Sequence, residues 1–402
     1  MAAPASFKPQ TEAAPPPPLS DLGGRAPKFG MKGNRITLED IAKRVGVTKM
    51  TVSRYITNPS KVAKATGLKI KAAIDEVGYI PNRAPVMLSQ ASTKTIGLMV
   101  SSFSNLLFSD LIEGAEARAR KAGYEILIGH TSYREDEEER KISQLMSYQV
   151  DAMILTDAVH TPQTIKRLKM SKIPVVELMS LVDNPIDMNI GYHHAKISYA
   201  AIKGLIECGR RNIMYLAARM DSRTMDRQSG YLTALKEFNL TPHIYGSENP
   251  SNFTIGAMTM RKALMECPNV DAVFCTNDDV AIGAMIACIE QGVSVPDDIS
   301  ILGYNGLDIG NTTIPKLTSI RTARYDMGKS AVELILMRLR NDDSAETHME
   351  LIPMLSLGQT LTLEENQAIS RNFDTLYALK LPPLVSTDAA LQQTLMDLNR
   401  MR

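Results

Sequence analysis

The stretch T-L-E-D-I-A-K-R-V-G-V-T-K-M-T-V-S-R-Y-I, residues 37–56, decides how the N-terminal part of the chain is read. Thr37 is a good N-cap, and acidic Asp40 three positions on suits a helix start. Leu38, Ile41, Ala42 and Val45 fall at i, i+3, i+4 and i+7, the stripe of a short helix buried on one side. Gly46 ends that helix and permits a tight turn. Thr48 can cap a second helix whose Val52 and Ile56 face inward, which leaves Lys49, Met50, Ser53 and Arg54 on the outer face. Two short helices joined by a Gly-containing turn, the second bearing a cationic, hydrogen-bonding face, make the plan of a helix-turn-helix. In that motif the start of the second helix meets base edges in the major groove.

A plain αα-hairpin in a helical core has the same outline, and charge decides between the two. Residues 31–94 hold 12 Lys and Arg against 4 Asp and Glu, a net of +8, and residues 1–30 hold 3 against 2. The whole chain is only +1, so residues 95–402 carry −8. A basic module attached to an acidic body can grip phosphate at one end and repel it at the other.

A length of 402 residues allows two or three domains, and 44% hydrophobic with 22% charged residues is the balance of a globular protein. No apolar run approaches the roughly 18–20 residues of a membrane span. The N-terminus lacks the basic and then apolar stretch of a secretory signal, so a cytoplasmic location is expected. Cys208, Cys267, Cys275 and Cys288 have neither metal-ligand nor redox spacing, the six His lack metal-ligand spacing, and no cofactor is expected.

Residues 1–34 are rich in Ala and Pro, with four prolines from Pro15 to Pro18, and read as a disordered tail. Met31, just ahead of the first helix, offers a second possible translation start. The helix-turn-helix module spans 35–80, including a third helix with the stripe Ile70, Ala73, Ile74 and Val77 and a Gly78 stop. Residues 81–93 read as a hinge, in which a short helix starting near Asn82 would tolerate Pro85 in its first turn. Leu88 could then wedge between base steps of the minor groove.

From Thr95 the rhythm changes. T-I-G-L-M-V, Y-E-I-L-I-G, D-A-M-I-L-T and I-P-V-V-E-L-M are spaced about 25 residues apart with amphipathic segments between them. N-I-M-Y-L-A-A, D-A-V-F-C-T, I-S-I-L-G-Y and a run near 351–357 follow. Such runs between helices indicate parallel strands buried on both faces. Eight or so units predict an α/β body over 94–358, built as two doubly wound lobes with a ligand cleft at the carboxyl ends of the strands. The acidic run Glu135–Glu139 reads as a solvated first helical turn. Residues 359–402 read as a tail, in which Leu391, Leu395 and Leu398 form a short leucine repeat.

In this order, a basic helix-turn-helix, a Y-I-P-N-R hinge and an α/β body resemble the lactose-repressor (LacI) family of transcription regulators, from about Arg35 to Leu357. The residues that carry the resemblance are T-V-S-R (51–54), Y-I-P-N-R (79–83), T-N-D-D-V-A-I-G (276–283) and V-P-D-D-I-S-I-L-G-Y (295–304). V-T-K-M-T-V-S-R, Y-I-P-N-R-A-P, I-P-V-V-E-L-M and F-C-T-N-D-D look like the gluconate and L-idonate regulators of that family. The resemblance implies a repressor acting as a homodimer on a near-palindromic double-stranded operator, with a small sugar-acid effector in the cleft. The leucine repeat could extend the dimer to a tetramer.

It further implies that Lys49 and Met50 choose the half-site, with Lys donating to guanine and Met offering only apolar contact. Thr48, Thr51, Ser53 and Arg54 can reach phosphate or base. Asn82, Arg83 and Leu88 match the family's hinge contacts. In the cleft, Asn277 and Arg227 match effector-binding positions. Arg223, four residues before Arg227, shares its helix face, and two such guanidiniums could clamp a carboxylate. A surface pair bridging Asp221 or Asp226 is the plainer reading of the two arginines. Phe108 matches a position where an aromatic packs on ligand, though it could equally be core. His160 and Thr161 match the H-T of gluconate-type members. Asn305 departs from the acidic pair of many sugar-binding relatives and from the His of the gluconate type, which leaves the acid unidentified.

An enzyme finds no support, since G-x-S-x-G, a P-loop and a strand-following G-x-G-x-x-G are all missing. A regulator answering to a neutral sugar keeps every other feature. A solute-binding receptor would share the body's fold but would need export and would show no salt-dependent binding to duplex DNA.

Overall fold

The computed structural model describes residues 36–81, 92–342 and 346–378. They fall into two compact units that divide after Val86, an N-terminal head and a larger body. Asn82, Arg83, Leu88 and the leucine repeat lie outside the described residues.

The head is three helices, α1 (Leu38–Val45), α2 (Lys49–Thr57) and α3 (Lys64–Val77). Thr37 caps α1 as expected, and the Asp40 carboxylate returns a bond from the Thr37 backbone N–H at 2.9 Å, completing a capping box. Gly46 and Gly78 end α1 and α3 with φ of +75° and +62°, a left-handed backbone that glycine adopts at little strain. Ile41, Ala42, Val52, Ile70, Ala73 and Tyr79 form the core. Arg44 on α1 pairs with Glu76 on α3 at the surface.

In the body, β1 (Thr95–Val100), α4 (Ser109–Lys121), β2 (Glu125–His130), α5 (Glu135–Ser147), β3 (Ala152–Leu155), α6 (Pro162–Ser171), β4 (Val175–Ser180) and β5 (Met188–Tyr192) build a first lobe. The chain then crosses to a second lobe through α7 (His194–Glu207), β6 (Ile213–Leu216), α8 (Ser222–Glu237), β7 (His243–Tyr245), α9 (Phe253–Glu266), β8 (Ala272–Cys275), α10 (Asp278–Gln291), β9 (Ser300–Asn305) and β10 (Thr318–Arg321). It returns as α11 (Arg324–Leu339) and β11 (His348–Glu350), then crosses a third time into β12 (Met354–Ser356) and α12 (Leu363–Ala378). The sheets have the orders β11-β5-β4-β3-β1-β2 and β12-β10-β9-β8-β6-β7. Every pairing is parallel except β10 with β12.

The two-lobed, doubly wound α/β body matches the expectation, with instructive differences. Strand β2 is an edge strand, and it leaves Leu127 and Ile128 partly exposed rather than buried on both faces. Strands β5, β7, β10 and β11 have no Val/Ile/Leu run to betray them. In β5, Asn189 is tolerated because its amide donates to the Glu177 and Ser180 carbonyls, both at 2.9 Å. The body also continues past residue 358: α12 lies on α7, where a Cβ on Gly204 would stand 2.8 Å from Ile369.

Helices α4 and α11 touch backbone to backbone. A Cβ added to Gly114 would sit 2.0 Å from the Tyr325 carbonyl oxygen, and one on Gly328 would sit 2.1 Å from that of Leu111. Among the described residues no helix is long and apolar enough to cross a membrane, and no His/Cys/Asp/Glu group could hold a metal ion.

Candidate DNA-contacting face and candidate ligand cleft

In the head, Val52 fixes the orientation of α2 by being fully buried, so the opposite face is presented outward. Thr48, Lys49, Met50 and Arg54 are exposed, and Thr51 and Ser53 are half-buried. Met50 is 68% exposed, so it does not fill a gap against α3. Thr48 caps α2 by accepting from the Thr51 N–H, and the two hydroxyls lie 2.9 Å apart. An apolar Met between hydroxyls and two cations is thus held on a rigid, outward-facing helix start.

In the body, the carboxyl ends of β1, β3, β6, β8 and β9 converge where the lobes face each other. From the first lobe, Ser101 and Thr131 donate to the Asp157 carboxylate at 2.6 and 2.9 Å. From the second, α8 projects Arg223 and Arg227, each buried. Arg223 reaches across to the Thr156 carbonyl at 3.1 Å, with Asp157 and Asp221 both at 3.9 Å. Burial opposes the Asp221 charge, but Arg223 and the Thr224 N–H hold its carboxyl below the usual carboxylate range. The plain reading of a pair with Asp221 therefore holds in part for Arg223, although the site is buried.

Arg227 differs. It donates to the Thr276 carbonyl at 2.5 Å and lies 3.8 Å over the Tyr304 ring, while its buried Nε has no partner. It takes part in no ion pair among the described residues. Asn305 ends β9 with φ of +108°, and its buried Oδ1 is also unpartnered. His194 is buried between the Tyr304 hydroxyl at 2.8 Å and the Met179 carbonyl at 3.2 Å. A carbonyl only accepts, so Nε2 donates to it and Nδ1 accepts from Tyr304. Burial, and then Arg227 and Arg223, push the His194 pKa well below its ordinary value, so the ring is neutral.

The other expected contacts are placed differently. His160 lies in a buried charge cluster: its Nδ1 lies 2.7 Å from Glu138 and its Nε2 3.3 Å from Glu177, with all three side chains buried. Burial works against its charge, but the two carboxylates raise it to about 10. Glu138 is thereby removed from the supposedly solvated run 135–139. Thr161 caps α6 through Thr164 N–H and donates to Glu139 at 2.7 Å. Phe108 is core, 1% exposed. Asn277 caps α10 through the Val280 N–H and pairs with Ser251, so its amide is engaged locally. Its neighbour Asp278 is buried beneath the Leu307 N–H and the Ser319 hydroxyl, and burial pushes its pKa up to about 7. Asp157, Arg219, His194 and Tyr304 were not singled out from the sequence. The strand-end rule that selected Asn277 also applies to Asp157, Arg219 and Tyr304.

Two family descriptions match the chain. Residues 37–82 match bacterial regulatory proteins of the lacI family, and residues 93–360 match periplasmic binding proteins and the sugar binding domain of the LacI family. The HTH-type transcriptional regulator IdnR of Escherichia coli K12 is 41% identical over 332 residues, 82% of this chain and 100% of that one. GntR of the same strain is 40% identical over 332 residues, 83% of this chain and 98% of that one. A LacI family transcriptional regulator from Silicibacter pomeroyi superposes with a TM-score of 0.77 at 26% identity, over 81% of this chain and all of the other. The Lac repressor dimer bound to operator and the anti-inducer ONPF superposes with a TM-score of 0.71 at 25% identity, over 81% and 99%.

Proposed function

This chain belongs to the LacI family of DNA-binding transcriptional regulators, and from that premise we propose that it represses sugar-acid utilisation genes as a homodimer on a near-palindromic operator, and that a sugar acid in the cleft releases it. The observation that carries the acid is Arg227: a buried guanidinium with no carboxylate within ion-pair distance among the described residues is costly, and a bound carboxylate would offset that cost. The similarity to IdnR and GntR over most of the chain supports the same ligand class. In this reading Arg227 engages the carboxylate, and Asn305 accepts a ligand hydroxyl. Arg223 stays with Asp157 and Asp221 and keeps the lobes together. Coupling is reciprocal, so operator DNA must change acid affinity by the same factor that the acid changes DNA affinity.

The test is a melting scan against gluconate, idonate, 5-ketogluconate and neutral sugars, with and without a duplex selected from genomic DNA. An acid at a hundred times its Kd stabilises by about 2.7 kcal/mol, a rise of several degrees. A shift with a neutral sugar and none with any acid would remove the acid from the proposal while leaving the DNA reading intact.

At the head, Lys49 and Met50 read bases while Thr48, Thr51, Ser53 and Arg54 hold the backbone. Lys49→Ala is expected to weaken selected DNA by ~1–3 kcal/mol and random DNA much less. Equal losses on both, measured at one salt concentration, would make Lys49 a phosphate contact.

A further inference from the structure

All three connections between the lobes lie on one side, beside β5 and β11 in the first sheet and β10 and β12 in the second. The opposite edges, β2 and β7, are the open side, where rotation about the connections moves the lobes farthest. Among the described residues a stacked contact spans that side: the Arg219 guanidinium, just past β6, lies 3.9 Å over the ring of Tyr133, just past β2. Asn105 steadies Tyr133 by donating to its hydroxyl at 2.9 Å.

Arg219 is held there at some strain. Its φ is +49°, where glycine would sit more easily, and its N–H donates to the Ser247 and Asn249 carbonyls beyond β7. A large side chain at such a backbone position points to a use for that side chain. Its stacked face leaves the edge available, and its buried Nε has no partner among the described residues. The same arrangement, a tyrosine under the plane and an unpartnered Nε, recurs at Arg227. The two differ in how close a carboxylate comes, since no carboxylate among the described residues lies within ion-pair distance of Arg227. Arg219 has Asp221 at 3.8 Å, so its edge suits an uncharged oxygen better than a second carboxylate.

We propose that Arg219 is a specificity-determining residue of the cleft: its edge takes a hydroxyl or keto oxygen at the far end of an extended acid whose carboxylate sits on Arg227, and its stack on Tyr133 closes the open side over that ligand. This rests on the acid reading above. A ligand that stops short of Arg219 binds without gaining the contact, so the cleft selects chain length as well as charge.

The experiment titrates gluconate and the four-carbon acid threonate into the full chain, unaltered, Arg219→Gly and Arg219→Lys. Arg219→Gly relieves the left-handed backbone, so the fold is not at risk. The affinity ratio of gluconate to threonate is expected to shrink at least ten-fold in both variants, since lysine keeps the charge but neither the plane nor the Nε edge. A ratio that both variants leave unchanged overturns the assignment while the acid reading stands. Failure of the unaltered chain to bind either acid overturns both. The sequence contains no Trp, so Tyr133→Trp places a single tryptophan at the mouth, which can be excited at wavelengths where tyrosine does not absorb. Gluconate is expected to shield it from acrylamide more than threonate does at equal occupancy, and equal shielding overturns the closing role.

Discussion

Replacing His160 by alanine is expected to destabilise the body by about 3–5 kcal/mol, because it leaves two buried carboxylates, Glu138 and Glu177, without their shared cation. The loss should depend on pH with a defined sign. The folded imidazole is raised from 6.5 to about 10, so its contribution is fully present below pH 6.5 and disappears as pH rises through about 10. Urea melts of the unaltered chain should therefore lose stability between those values. His160→Ala should be weaker at pH 6.5 and should lose less stability across the same window. A variant as stable as its parent at pH 6.5, or equally pH-dependent, would show that the trio is not a paired charge cluster.

Arg227→Met should behave in the opposite way. Without ligand the variant is expected to melt at or above the unaltered chain, because a buried charge with no carboxylate within ion-pair distance is replaced by an apolar side chain of similar reach. With acid present the stabilisation should vanish. A carboxylate fork lost is worth about 2–4 kcal/mol, or roughly 30- to 1000-fold in affinity. Binding to selected DNA should persist but should no longer respond to the acid. A drop of 2 kcal/mol or more in the ligand-free protein, or an undiminished shift with acid, would make Arg227 a structural residue. The contrast between the two substitutions separates a charge that the protein satisfies itself from one that it leaves for a ligand.

The head was legible because it is local. Caps, glycine stops and the i, i+3, i+4 stripe all lie within about 40 residues, and α1, α2 and α3 begin and end close to where those signals stand. In the body, long apolar runs gave the central strands, while β5 and β10 stayed hidden because their polar residues find partners from other elements. The same limit governs the site. Helical spacing put Arg223 and Arg227 on one face, but it could not tell that the first has Asp157 from another lobe and the second has no ion pair among the described residues. His160 next to Thr161 reads as a ligand contact in sequence. Only folding reveals the two glutamates, 22 residues before it and 17 after it, that engage it. Asn277 sits at the expected strand end, yet its amide is consumed in capping α10 and in pairing with Ser251.

The glycine contacts between α4 and α11 have a mechanical consequence. With Gly114 against Tyr325 and Gly328 against Leu111, no side chain lies between the two backbones at these two points. Arg324, in the first turn of α11, donates to the Asn305 and Gly306 carbonyls and grips Asp110 of α4 at 2.7 Å. The cleft end of β9 is therefore tied to the start of α4 through the single side chain of Arg324. A displacement of Asn305 would therefore pull on α11 and, through the same guanidinium, on α4.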